Sequence, residues 1–299
     1  QEAKQAVGLV IQRDQFPDRL FAPAKREKLL PDGANPVYDK EIRSEIFSQG
    51  TLMLRVVIQV SMLLAIPLMA ICLYIRPEWA AWYIAYVIVF NMLVGPVFSA
   101  GSVTSERERQ TLDLLLTTTI TPWHILWGKL IAGLRVSSVL TMFLLWPVVL
   151  ACAMVAAYWE NILPVFAYVA IVLLTCVNTA VLALFCSVVF RKTSISLMTT
   201  YLLIIVLFCV PVAMSGFAQA MAGDEDLVRT LQAFGVSSPF VAAFSIPMDV
   251  DQPGGITLEP GARSWSLFTG FVVFSVFMVG ILSGTMVWMF NTRWRVAES

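Results

Sequence analysis

The chain alternates long uncharged stretches with short polar ones. Runs without Asp, Glu, Lys or Arg cover 56–75, 79–105, 136–159, 161–190, 193–223 and 264–292, which is 20, 27, 24, 30, 31 and 29 residues. About 20 mostly apolar residues in a helix cross the hydrocarbon core of a bilayer. The pattern predicts an all-α polytopic membrane protein with six spans, at about 53–75, 80–100, 130–157, 162–189, 195–217 and 265–290. The uncharged run 230–248 is 19 residues long, but Gln232, Gly235, Ser237, Ser238, Pro239 and Pro247 interrupt it. Leu227, Leu231 and Phe234 suit an amphipathic helix ending at Gly235, and Ser238-Pro239 opens another that stops near Pro247. Both read as interfacial or re-entrant helices within a segment 218–263, because broken backbone at membrane depth must be buried in protein or lie against water.

The N-terminal region has a different pattern. Residues 1–38 are polar, with prolines at 17, 23, 31 and 36, and read as a connector. In residues 39–49, Ile42, Ile46 and Phe47 share one helical face while Asp39, Lys40, Arg43 and Glu45 cover the rest. That is an amphipathic helix of the kind that lies in the membrane interface, and Gly50 allows a bend into the first span. Pro67 is placed to kink that span, with Arg55 near enough to its end to snorkel. Arg76-Pro77-Glu78 is a short turn, and Trp79, Trp82 and Tyr83 read as an aromatic belt.

The stretch Ser102–Leu130 is the most informative. Ser105 followed three residues later by Glu108 has capping-box spacing. A helix over 106–118 puts Leu112, Leu115 and Leu116 on one face. Thr121-Pro122 then reads as a cap with proline at the first helical position, so two short helices are expected to meet at a turn at the mouth of the membrane.

Composition sharpens the class. Of 299 residues, 58% are hydrophobic and 13% charged, against about a quarter charged in a soluble domain. A soluble enzyme, a secreted disulfide scaffold and a disordered chain are excluded. Net charge is zero, so there is no basic field to hold nucleic acid. The distribution of charge is uneven. The side with the N-terminal segment, 101–130, 191–192 and the C-terminal tail, counting Arg55 and Arg135, carries 17 of the 20 Lys and Arg and 12 of the 20 acids. It nets +5 against −5 for the other side, which makes it cytoplasmic by the positive-inside rule, with both termini inside a cell membrane and 218–263 outside. The chain opens on Gln without a signal peptide and is expected to be a processed or cut piece of something longer.

Candidate chemistry is sparse. The single histidine, His124, falls near a span end, and no Asp or Glu lies inside the six runs. A His-pair metalloprotease, an aspartyl protease and a carrier with a buried acid all lack their residues. No Gly-x-x-x-x-Gly-Lys-[Ser/Thr] loop is present, so nucleotide hydrolysis by that route is not in this chain. The five cysteines, Cys72, Cys152, Cys176, Cys186 and Cys209, all fall within apolar runs and read as packing residues. Gln59, Asn91 and Asn178 read as interhelical hydrogen-bonding groups. Gly280 and Gly284 form a GxxxG spacing suited to close helix packing, within the chain or between subunits.

Ser105-Glu-Arg-Glu-Arg-Gln-Thr-Leu-Asp-Leu-Leu-Leu, followed by Pro122 and by Gly128-Lys129 at the head of the third span, resembles the hallmark segment of ATP-binding cassette (ABC) transporter permeases of the type-2, exporter class. Asn35–Arg43 is similar to the opening segment of that family, and Ser237-Ser-Pro-Phe240 to the segment after its fifth span. Residues 1–34 precede the usual start of the family. The resemblance implies a transmembrane subunit that pairs with a second six-span half (homodimer, heterodimer or fused) and with cytoplasmic ATPase subunits. Those subunits would hold the Mg-ATP, with no cofactor bound by this chain. It further implies that Ser105, Glu106, Arg107, Glu108, Arg109, Gln110, Thr111 and Leu112 belong to a coupling helix that docks in the ATPase. Lys40, Glu41 and Arg43 would belong to the interfacial connecting helix. Removing residues 106–109 is then expected to uncouple hydrolysis from transport. The rival reading is a membrane-integral scaffold that holds a cytoplasmic partner without transport; an ion-coupled carrier is disfavoured by the missing acids.

Overall fold

The computed structural model describes residues 52–111, 122–220, 235–247 and 265–293. The connector 1–38, the interfacial helix 39–49, the 112–121 part of the hallmark stretch and the helix proposed to end at Gly235 lie outside those residues. Among the described residues, six helical stretches are long and apolar enough to cross a membrane. Helix α1, Leu52–Met69, runs on as a π-helix over Ala70–Ile75. A 3-10 turn over Pro77–Trp79 leads into α2, Ala80–Ser99. The short α3, Thr104–Glu108, caps the end of α2. Then come α4, Pro122–Met154, a single turn α5, Ala156–Glu160, and α6, Ile162–Val189. The fifth span is broken into α7, Thr193–Ile204, a π segment Ile205–Cys209, and α8, Val210–Ala220. Helix α9, Pro239–Ser245, precedes the last span, α10, Trp265–Arg293.

Spans 2 and 4 form the core. They are 61% and 67% buried over their apolar stretches, against 11–33% for the other four. Lipid is as apolar as leucine, so burial of hydrocarbon does not drive such helices together; small residues and interhelical hydrogen bonds do. A Cβ on Gly95 of α2 would lie 3.0 Å from Thr179 Oγ1 of α6, and one on Gly133 of α4 would lie 2.5 Å from Ser99 Oγ of α2. Thr141 donates to Asn91 Oδ1 at 2.6 Å, joining α4 to α2, and Asn178 Nδ2 donates to Ser275 at 2.9 Å, joining α6 to α10. Both asparagines thus do what their position in apolar runs predicts. Gln59 does not; it is exposed on α1. Tyr83 departs from the expected belt as well. It is fully buried and donates to the Leu144 carbonyl at 2.7 Å, whereas Trp79 and Trp82 are exposed. The cysteines are all free, and Cys72, Cys176 and Cys186 are buried. Gly280 and Gly284 face outward, and among the described residues nothing comes within 4 Å of where their Cβ atoms would be. Of the two packings their spacing allowed, the intramolecular one is not made among those residues.

Proline leaves a helix short of an N–H and crowds the carbonyls one turn earlier. In three spans a hydroxyl from elsewhere takes the carbonyl three residues before the proline. Tyr201 reaches Leu93 ahead of Pro96 (2.5 Å), Tyr83 reaches Leu144 ahead of Pro147, and Ser238 reaches Phe208 ahead of Pro211 at 2.8 Å. Ser237 takes the next carbonyl, Leu207, at 2.9 Å. The Ser-Ser-Pro-Phe segment therefore starts a short helix, as its pattern predicts, but its hydroxyls serve the break in the fifth span and do not cap α9. Changing Ser237 and Ser238 to alanine removes both bonds. A loss of about 0.5–1.5 kcal/mol for each is expected, read as a fall in the thermal midpoint of the detergent-solubilised protein.

Candidate functional site

The hallmark segment folds at the end of the bundle where α2 and α6 finish and α4 and α7 start. The backbone leaves α2 through Ala100–Val103 and enters α3 almost without a break, Ser105 N donating to Gly101 O at 2.9 Å. Helix α3 is only five residues long. Thr111 N returns to Glu106 O at 2.9 Å and Gln110 N to Arg107 O at 3.1 Å, while Gln110 has φ 57°. That pair of bonds around a left-handed residue is a Schellman stop. A helix running unbroken from 106 is therefore not formed: it stops at Glu108, and 112–118 lie outside the described residues. The expected short helix after Pro122 is instead the first turns of the 33-residue α4.

The capping box is not formed. The N-cap residue is Val103, which offers no side-chain cap. Ser187 of α6 supplies it from across the bundle, its Oγ accepting from Val103 N at 2.9 Å and Thr104 N at 3.1 Å. Glu108 is thereby free to cap another helix. Its Oε1 accepts from Thr193 N, the first residue of α7, at 2.7 Å. An anion there complements the positive helix terminus.

The neighbouring charges are equally committed. Glu106 is 6% exposed and pairs with fully buried Lys129 of α4 at 3.1 Å, and Lys129 Nζ also donates to Ser102 O at 2.7 Å. Arg107 donates through Nη1 to Phe190 O at 2.8 Å and through Nη2 to Val188 O at 3.1 Å. Those are orphan carbonyls at the negative end of α6. Ser196 of α7 donates to Ala100 O at 3.0 Å, and Thr193 Oγ1 lies 3.1 Å from Thr104 Oγ1. One short helix is thus bonded to the ends of four spans.

The Glu-Arg-Glu-Arg run is therefore no solvated strip. Glu106 points inward, Ser105 and Arg107 are half-buried, and Glu108, Arg109, Gln110 and Thr111 form the exposed tip. Arg191 and Lys192, between α6 and α7, are exposed as well. Leu112 lies outside the described residues, as do Lys40, Glu41 and Arg43. Sequence reasoning named the acidic and basic partners on α3 but not Ser187 or Thr193, which no pattern marks. Lys129 did carry a signal, since a lysine on an apolar helix must find a partner. His124 sits exposed in the first turn of α4.

Six long apolar helices with a polar-studded core among the described residues, and a charge-bound element at one end, define a multi-pass membrane protein. The sequence profile of the family described as ABC-2 family transporter protein matches residues 11–292, nearly the whole chain, and the chain belongs to that family. It is a membrane permease component of an ABC transporter. No curated protein shows a significant match to the chain.

Proposed function

We propose that this chain is the transmembrane half of an ATP-driven exporter and that residues 104–111 receive the stroke of a separate ATPase subunit. The observation that carries the reading is the build of α3. It is stopped by a Schellman turn, anchored on four spans, and exposes Glu108–Thr111. A rigid tip on a rigid base suits the transfer of a rigid-body displacement from a soluble partner. Mg-ATP belongs to that partner, because this sequence has no phosphate loop. The charge asymmetry supports a cytoplasmic setting for the tip. The outward-facing apolar surfaces of the first, fifth and sixth spans, with Gly280 and Gly284 on the sixth, suit lipid and a second six-span half.

A photo-crosslinking residue at Thr111, in the intact complex in membranes, is expected to capture an ATP-binding subunit. Capture only of a protein without nucleotide-binding motifs would favour the scaffold reading. Labelling of Thr111→Cys by a membrane-impermeant thiol reagent from outside the cell would overturn the orientation.

A further inference from the structure

We propose that Arg107 and Glu108 are positioning residues that carry the displacement of α3 to the inner arm of the fifth span, α7, so that α7 is the part that moves. This rests on the reading of α3 as the docking element. The two residues are adjacent in sequence and opposite in charge, and they grip opposite sides of one three-residue connection. Arg107 holds the last carbonyls of α6, at Val188 and Phe190, and Glu108 holds the first N–H of α7, at Thr193. Each charge meets the helix end whose dipole it complements. Any shift of α3 is therefore imposed on both ends of Phe190–Lys192 together, and it reaches α7 at its terminus, where leverage on the arm is greatest.

The remainder of the fifth span is built to let that arm pivot. The α-helical hydrogen-bond pattern of α7 is lost at Ile205–Cys209, where the turns widen to a π-helix, and Pro211 removes a further N–H just beyond. Such interruptions are where helices bend. Beyond them, Ser237 and Ser238 hold the Leu207 and Phe208 carbonyls from outside the span. The far side of the break is thus fixed to the segment 235–245, while the near side is tied to α3. By contrast, α4, which shares the Lys129–Glu106 pair with α3, has no π segment, and its proline, Pro147, lies 18 residues beyond Lys129. A push on α3 therefore has a compliant path through Glu108 and Arg107 into α7, whose break begins twelve residues from Thr193.

The test uses the full chain assembled with its ATPase subunit in liposomes. Spin labels at Ile195 on α7 and Trp127 on α4, both exposed near the α3 end, report their separation without nucleotide and after trapping with Mg-ATP and vanadate. The natural sequence is expected to show a shift of the Ile195–Trp127 distance on trapping. Glu108→Leu, which removes the acceptor for Thr193 N, is expected to lose most of that shift while still crosslinking to the ATPase subunit through Thr111. Glu108→Gln keeps an acceptor oxygen and is expected to retain the shift. Arg107→Leu should behave as Glu108→Leu, and should part further from the natural chain as salt weakens the remaining contact. An unchanged shift in Glu108→Leu, or a natural chain whose α7 stays still on trapping, with the Thr111 crosslink present, would overturn the assignment of the moving arm alone. A natural chain that never crosslinks to an ATPase through Thr111 would instead overturn the docking reading beneath it.

Discussion

Lys129→Met should collapse the folded yield of this protein, with a loss of stability of about 3–5 kcal/mol, the range for removing one partner of a buried ion pair. The size follows from what remains. Glu106, 6% exposed, would keep its carboxylate without the ammonium 3.1 Å away, and the Ser102 carbonyl would lose its donor. The double variant Lys129→Met with Glu106→Gln should recover most of the loss, because a buried pair can be exchanged for neutral side chains of similar volume at little net cost. Thermal midpoint and monodisperse yield in mild detergent measure both. A single variant as stable as the natural chain would show the pair to be unnecessary for the fold. The same geometry changes what deletion of 106–109 reports. That deletion removes a buried ion and two helix-end contacts along with the exposed tip, so a transport defect would follow even if nothing docked there. Arg109, which lies at the surface, is the position that separates docking from folding, since the Thr111 hydroxyl also donates to Glu106 O at 3.2 Å.

Gly133→Val should force α2 and α4 apart, with a loss of about 1–3 kcal/mol or more, as for overpacking of a close-packed interior. A Cβ at this position would lie 2.5 Å from Ser99 Oγ, 3.5 Å from its Cβ and 3.6 Å from its Cα. Alanine alone needs the serine hydroxyl to move. Valine adds methyls with nowhere to go but the α2 backbone. Lys129 lies one turn away on α4, so the separation would also loosen its pair with Glu106. Gly133→Ala combined with Ser99→Ala removes the nearest clash and should be clearly milder than Gly133→Ala alone. Equal midpoints for Gly133→Val and the natural chain would show that the two helices do not approach as closely as the structure places them.

Much of the architecture was legible because membrane burial is a one-dimensional signal. Runs of uncharged residues locate the six long apolar helices, although the third starts at Pro122, eight residues before the expected 130, and within the described 235–247 the chain breaks at Ser238-Pro239 into a short helix as its pattern predicts. Asn91 and Asn178 were legible for the same reason, since an amide in hydrocarbon has to find a partner. The site was read only in part. Composition cannot tell that Glu106 turns inward and Glu108 outward, because both sit on a helix too short to show a periodicity. The capping-box spacing of Ser105 and Glu108 misleads, because Ser187, 82 residues beyond Ser105, comes to the same N-terminus first. The stop at Gln110 was hidden because glycine usually marks that conformation and here a glutamine adopts it. Tyr83 was misplaced because a tyrosine beside two tryptophans at a span end looks interfacial, while its hydroxyl is used inside the bundle.

The hydroxyls that serve the proline breaks also bear on how the chain is assembled as it is synthesised. Leu144 meets a partner already made, since Tyr83 precedes it by 61 residues. Leu93 must wait for Tyr201, 108 residues later, and Leu207 and Phe208 wait for serines 30 residues on. The second and fifth spans therefore enter the bilayer before the hydroxyls that bond these carbonyls have been made. A nascent chain halted before residue 237 would hold its fifth span without the two bonds that fix the far side of its break.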